Sequence, residues 1–100
     1  MKRKFPNVLE IADLRIDVNN YICTKADEII PLTKKELTIL HLLASNPRQV
    51  QSRQSILETA WDEDVLVGSR TIDVHIRRLR KKIGADYIRT VKGIGYQFVN

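Results

Sequence analysis

The sequence is short of the residues that build disulfide, metal and covalent-catalysis sites. Cys23 is the single cysteine among 100 residues. It excludes an internal disulfide framework, and a reducing cytoplasm is the expected compartment. The two histidines, His41 and His75, lie far apart, and no Cys/His spacing suits zinc. No metal and no cofactor are expected. Ser, His and Asp all occur, but without a nucleophile-elbow signature, so an enzyme is not expected. No apolar run approaches the length that crosses a bilayer. The opening "MKRKFPNVLE" lacks the apolar core of a secretory signal. What remains, 43% hydrophobic and 29% charged, fits one small domain with a single core.

Acidic residues are scarce at one end. Residues 65–100 carry eight cations and two anions, whereas residues 5–64 carry six cations and ten anions. Residues 1–4 add three cations. Such asymmetry points to a polyanion, usually nucleic acid. The competing reading is a face merely solvated by Lys and Arg.

Residues 1–7 read as a linker and residues 8–100 as the domain. "VLEI", "LRIDV", "YICT" and "EII" are separated by the turn pairs "AD", "NN" and "AD", which predicts a four-stranded antiparallel meander. Helical periodicity then takes over. Thr33 with Glu36 three residues later forms a capping box, with Leu32 and Leu37 at the staple positions. Leu37, Leu40, Leu43 and Ala44 mark an apolar face, and Asn46–Pro47 stops the helix. Ser52 caps a short second helix whose Ile56, Leu57, Ala60 and Trp61 share one side. "DEDVLVGS" reads as a loop. Ser69 caps a third helix and Gly84 ends it. Tyr87–Val91 and Tyr96–Val99 flank "KGIG" as a C-terminal β-hairpin. The order defines an α+β fold: a winged helix-turn-helix with an N-terminal four-stranded antiparallel sheet, three helices and a β-hairpin wing.

The third helix, residues 69–83, has two opposed faces. Ile72, Ile76, Leu79 and Ile83 fall within an arc of about 60°, which must face the core. The opposite arc holds Arg70, Val74, Arg77, Arg78 and Lys81. Asp73 and Arg80 flank it on one side, Thr71 and His75 on the other. A solvated face would mix Glu with Lys, because opposite charges one turn apart support a helix. Here Asp73 is the single acid, and Arg77 and Lys81 repel at i,i+4. A polyanion relieves that repulsion. A helix of this kind fits a DNA major groove, where an outward Val meets a thymine methyl and Arg holds guanine. Val74 as a stray surface residue is the plainer alternative. Lys92 at the hairpin tip is placed to enter a minor groove. Gly93 and Gly95 lack the third glycine and following helix of a dinucleotide fingerprint, so they read as turn residues needing φ > 0.

"PLTKKEL", "SRQSILETAW" and above all "RTIDVHIRRLRKKIG…YIRTVKGIGYQF" resemble the effector domain of OmpR/PhoB-type bacterial response regulators, over residues 8–99. The resemblance implies a sequence-specific transcription factor of a two-component system, binding double-stranded DNA, usually as head-to-tail pairs on direct repeats. It implies base contacts from Asp73, Val74, Arg78 and Thr90. It implies backbone contacts from Trp61, Arg70, Thr71, His75, Arg77, Arg80 and Tyr96. Lys92 stands where the family often has a minor-groove Arg, and a Lys is a point charge that reads groove width less well. The loop around Asp62, Glu63, Asp64, Val65 and Leu66 matches the segment that touches RNA polymerase, often its sigma subunit. The family's receiver domain, through which a sensor kinase acts, is not among these 100 residues. The domain alone is expected to be a monomer off DNA. A basic face docking an acidic protein would bind DNA without sequence preference, and A-form RNA closes its major groove to side chains.

Overall fold

The structure, a computed structural model, describes residues 7–61 and 70–99. The expected Ser69 cap and the loop Asp62 to Gly68 lie outside the described residues.

Four short strands open the domain: β1 (Val8–Ile11), β2 (Leu14–Asp17), β3 (Ile22–Lys25) and β4 (Glu28–Ile30). They pair antiparallel in sequence order. The turn at Ala26 and Asp27 places both residues at positive φ, 51° and 67°, as a two-residue hairpin requires. Tyr21, expected within a strand, instead takes φ 55° and belongs to the turn before β3. Leu14, Ile16 and Cys23 alternate inward, so one face of this sheet is core.

Helix α1 (Lys34–Ser45) begins as the capping box dictates. Thr33 Oγ1 accepts from Glu36 N at 3.1 Å, and Glu36 Oε1 accepts from Thr33 N at 2.9 Å. Its buried face includes the expected Leu37, Leu40, Leu43 and Ala44, and adds Ile39. This widening follows from its position: α1 packs on α2, α3, β7 and β1 together. Helix α2 (Arg53–Ala60) starts at Ser52, whose side chain accepts from Ser55 N at 3.0 Å. Helix α3 (Arg70–Ile83) buries Ile72, Ile76, Leu79 and Ile83 completely. Each such side chain contributes about 1.5–3 kcal/mol of transfer free energy. Gly84 follows at φ 105°, and its N–H returns to the Arg80 carbonyl at 2.8 Å.

The C-terminal hairpin, β6 (Ile88–Val91) and β7 (Gly95–Phe98), has a third partner. Residues Val50–Ser52 form β5, which pairs antiparallel with β7 in a sheet of order β5-β7-β6. Three residues are too few to show alternation, so β5 is invisible until β7 templates it. This pairing also corrects the reading of Gly95. Gly93 does take positive φ, 78°, but Gly95 does not. Gly95 is required because a Cβ there would stand 2.0 Å from the Gln51 carbonyl oxygen on β5.

Candidate nucleic-acid interface

The four buried residues of α3 turn its opposite arc to solvent. Val74 is 46% exposed. Arg70, Arg77, Arg78 and Lys81 surround it and are all exposed. The expected recognition arc is therefore assembled as one basic strip with a single apolar residue in it.

The two flanks of α3 are not idle surface. On one, His75 Nδ1 lies 2.8 Å from the Thr71 carbonyl. Its ring meets Trp61 edge-on at 5.1 Å. Lys35 of α1 stands over the same Trp61 ring at 5.0 Å. Trp61, the C-cap of α2, thus packs half-buried beside the helix.

On the other flank, α3 meets the hairpin. Arg80 donates from Nε and Nη2 to the Ile88 carbonyl at 3.2 and 2.9 Å. The same Nη2 donates to Thr90 Oγ1 at 2.7 Å. Asp73 Oδ1 accepts from Arg53 Nε at 2.8 Å and from the Tyr96 hydroxyl. Two guanidinium groups stand over the Tyr96 ring, Arg53 at 5.5 Å and Arg80 at 5.4 Å. Burial alone would raise the Asp73 carboxyl, but the hydrogen bonds from Tyr96 and Arg53 outweigh it and hold the group below its ordinary value. Burial and the Asp73 charge both push the Tyr96 phenol up.

Beyond this flank the hairpin projects its tip. Ile94 N–H closes the turn on the Val91 carbonyl at 2.9 Å. Lys92 and Ile94 are exposed there, with Gly93 supplying the positive φ between them.

The expected site residues are therefore sorted by position. Val74, Arg70, Arg77, Arg78 and Lys92 stand in solvent, as does Thr90 on β6. Thr71, His75, Trp61, Asp73 and Arg80 are half-buried, each in a contact described above. Tyr96, expected at a DNA backbone, is only 4% exposed and belongs to the core. It shares the core-facing side of β7 with Phe98, two residues on, as strand alternation requires. Asp62 to Leu66 lie outside the described residues. Nothing in the sequence marks Arg53 as a partner of Asp73: twenty residues separate them, and no spacing rule links a helix start to a later helix. Arg89, exposed on β6, is a further cation near the wing; its place within "YIRTV" was the available signal.

A helix-turn-helix with a basic outer arc and a hairpin wing defines a winged-helix effector domain. Comparison with known proteins agrees. Residues 27–98 match the family described as "Transcriptional regulatory protein, C terminal". The chain belongs to this family and is an OmpR/PhoB-type DNA-binding effector domain. It is 37% identical to the phosphate regulon transcriptional regulatory protein PhoB of Escherichia coli strain K12, over 91% of this chain and 42% of that protein. Among solved structures it is similar to the response regulator DrrB of Thermotoga maritima, an OmpR/PhoB homolog. The TM-score is 0.85 at 36% identity, covering 94% of this chain and 45% of that one. It is also similar to the Klebsiella pneumoniae RstA DNA-binding domain, solved in complex with the RstA box. There the TM-score is 0.78 at 28% identity, covering 94% and 98%. The chain spans less than half the length of the curated relatives it matches.

Proposed function

We propose that this domain binds duplex DNA sequence-specifically, with α3 in the major groove and the wing at the adjacent minor groove. The observation that carries the reading is the α3 outer arc. An isolated, partly exposed valine sits among Arg70, Arg77, Arg78 and Lys81, on a helix whose inner face is wholly buried. Val74 meets a thymine methyl and Arg78 holds a guanine edge. Arg70, Arg77 and Lys81 hold phosphates on the two groove walls and release counterions. Thr71, His75 and Trp61 contact the backbone on one flank, and Arg80 and Thr90 lie where the helix meets the wing. Lys92 enters the minor groove. The RstA domain's structure with its box supports this docking by analogy of fold.

At the level of the whole regulator, the same reading makes this the output domain of a two-component system. It acts in the cytoplasm at the nucleoid, on direct repeats. A sensor kinase signals through a receiver domain, and residues 62–66 face RNA polymerase.

Fluorescence anisotropy tests the DNA reading. The chain is titrated into direct-repeat DNA enriched from a random library and into scrambled DNA, across a salt series. Tighter binding to the enriched sequence, falling steeply with salt, is expected. Equal affinities or a flat salt response would overturn it.

A further inference from the structure

The flank of α3 that faces the wing carries polar contacts at two levels, Asp73 near the start and Arg80 seven residues later. Seven helical residues span roughly 10 Å, so the two levels brace a length of helix rather than one point. Both levels converge on one side chain, Tyr96. Its hydroxyl donates to Asp73 Oδ1, and both Arg53 and Arg80 stand over its ring. Tyr96 lies on β7, the central strand of the wing sheet, so its position governs both β5 and β6. Arg53 follows directly on β5 and starts α2. The contacts thus join the recognition helix, the helix before it and the wing at one buried ring.

Three features separate this arrangement from ordinary surface pairing. Tyr96 is buried, so its hydroxyl has left water and needs a partner. Asp73 Oδ1 serves two donors at once, one of them cationic, which fixes its rotamer. Lastly, the Arg80 guanidinium grips the wing by backbone as well as side chain, through the Ile88 carbonyl and Thr90.

We propose that Asp73, Tyr96 and Arg53 form a positioning bracket that sets the angle between wing and recognition helix. Asp73 acts through Tyr96 on the wing, and the base reading on α3 falls to Val74 and Arg78. The bracket matters for binding because helix and wing must reach two grooves of one site together. A wing free to tilt loses its groove contact while the helix keeps its own. This inference rests on the DNA reading above, and the experiment below distinguishes the failure of one from that of the other.

The wild-type chain is used to enrich duplexes from a random library, which defines a helix-facing segment and a flanking wing-facing segment. Tyr96→Phe keeps the ring beneath the two guanidinium groups and removes the hydroxyl. Asp73→Asn keeps the shape and removes the charge. Both should retain the helix-facing consensus and lose preference in the flanking segment, weakening binding about fivefold, the worth of one hydrogen bond. Lys92→Ala should weaken the wild type but add little to Tyr96→Phe, because the wing contact is already lost.

The proposal is overturned if Asp73→Asn alters the helix-facing consensus while Tyr96→Phe binds as the wild type, since Asp73 would then read a base. It is also overturned if the Lys92 and Tyr96 effects simply add, or if affinity drops uniformly over all duplexes. Amide hydrogen exchange supplies a readout without DNA. Tyr96→Phe should speed exchange in β6 and β7 while α1 exchanges as in the wild type. If wild type enriches no sequence, the DNA reading fails, and the exchange rates in β6 and β7 alone decide the bracket.

Discussion

Lys25, on the third strand of the N-terminal sheet, donates from Nζ to the backbone carbonyl of Ile83 at 2.8 Å. The last turn of a helix leaves carbonyls without intrahelical partners, and a cation there also meets the negative end of the helix dipole. The residue that does this for α3 comes from a sheet 58 residues earlier in the chain. The N-terminal meander and the recognition helix are thereby fastened end to end.

Lys25→Met should keep the aliphatic packing and remove the donor. We expect a loss of about 1 kcal/mol, read as a lower urea midpoint at unchanged slope. A wild-type midpoint would show that water replaces the ammonium at no cost.

Glu36 gives the domain an acid-sensitive joint. It completes the α1 capping box and accepts from Lys82 Nζ at 2.7 Å, so α1 and α3 meet at one buried carboxylate. Burial alone would raise its carboxyl, but Lys82 and the Thr33 backbone outweigh burial and hold it below 4.5. A group depressed by folding contributes stability above its unfolded value, and that contribution is lost as pH falls through the folded one. Glu36→Gln should cost about 1–2 kcal/mol at pH 7. Its gap from the wild type should narrow toward pH 3 in urea titrations. A gap equal at both pH values would remove charge as the cause.

The alkaline limb has the opposite sign. The Tyr87 phenol donates to Asp13, and that hydrogen bond with burial pushes it up from 10.0 to about 12. Burial alone pushes the Cys23 thiol from 9.0 to about 11. Both groups favour folding while neutral, so their contributions are full below pH 9 and are lost as pH rises through the folded values. Tyr87→Phe should flatten the loss of stability between pH 10 and about 12, measured by denaturant midpoints. An unchanged slope there would deny Tyr87 its part.

The two glycines of the wing should fail differently. Gly93→Ala places a side chain at φ 78° in open space, costing about 1–2 kcal/mol of backbone strain. Gly95→Ala drives a Cβ into the Gln51 carbonyl and should cost more, about 2–4 kcal/mol, by forcing β5 off β7. Thermal unfolding of both variants gives the order directly, and equal losses would remove the close approach of β5 as the explanation.

Arg77 and Arg78, neighbours on α3, should separate phosphate holding from base reading. Arg78→Ala should relax base preference by about 1–3 kcal/mol at one position. Arg77→Ala should weaken every sequence alike and shallow the salt slope by about one unit. A uniform loss from both, across a site library, would take the base-reading role from Arg78.

Most elements are legible in the sequence because they rest on local rules. Thr33 and Glu36 cap α1 through contacts three residues apart, and Ser52 caps α2 the same way. The four isoleucines and leucines of α3 mark its buried stripe by period alone. The strip around Val74 followed from that stripe by opposition. Strand ends were less legible: Tyr21 looks like a strand residue by type, but the turn into β3 needs it at positive φ.

The sequence by itself determined which side of α3 is buried, which arc carries its outward cations, and the order of the N-terminal strands, the three helices and the hairpin, though not β5. Each depends on residues within one or two turns of each other, whose geometry the backbone repeats. Only the tertiary structure decided what the flanks of α3 do. The resemblance implies DNA contacts from Asp73 and Tyr96; the folded chain adds that the two are hydrogen-bonded to each other, with Tyr96 buried. Tyr96 and Phe98 alternate onto the core face of β7, and β5, leading straight into Arg53, brings that side chain across to Asp73. Pairings twenty or more residues apart leave no period in the sequence, since chain geometry couples distant residues only after the core has closed.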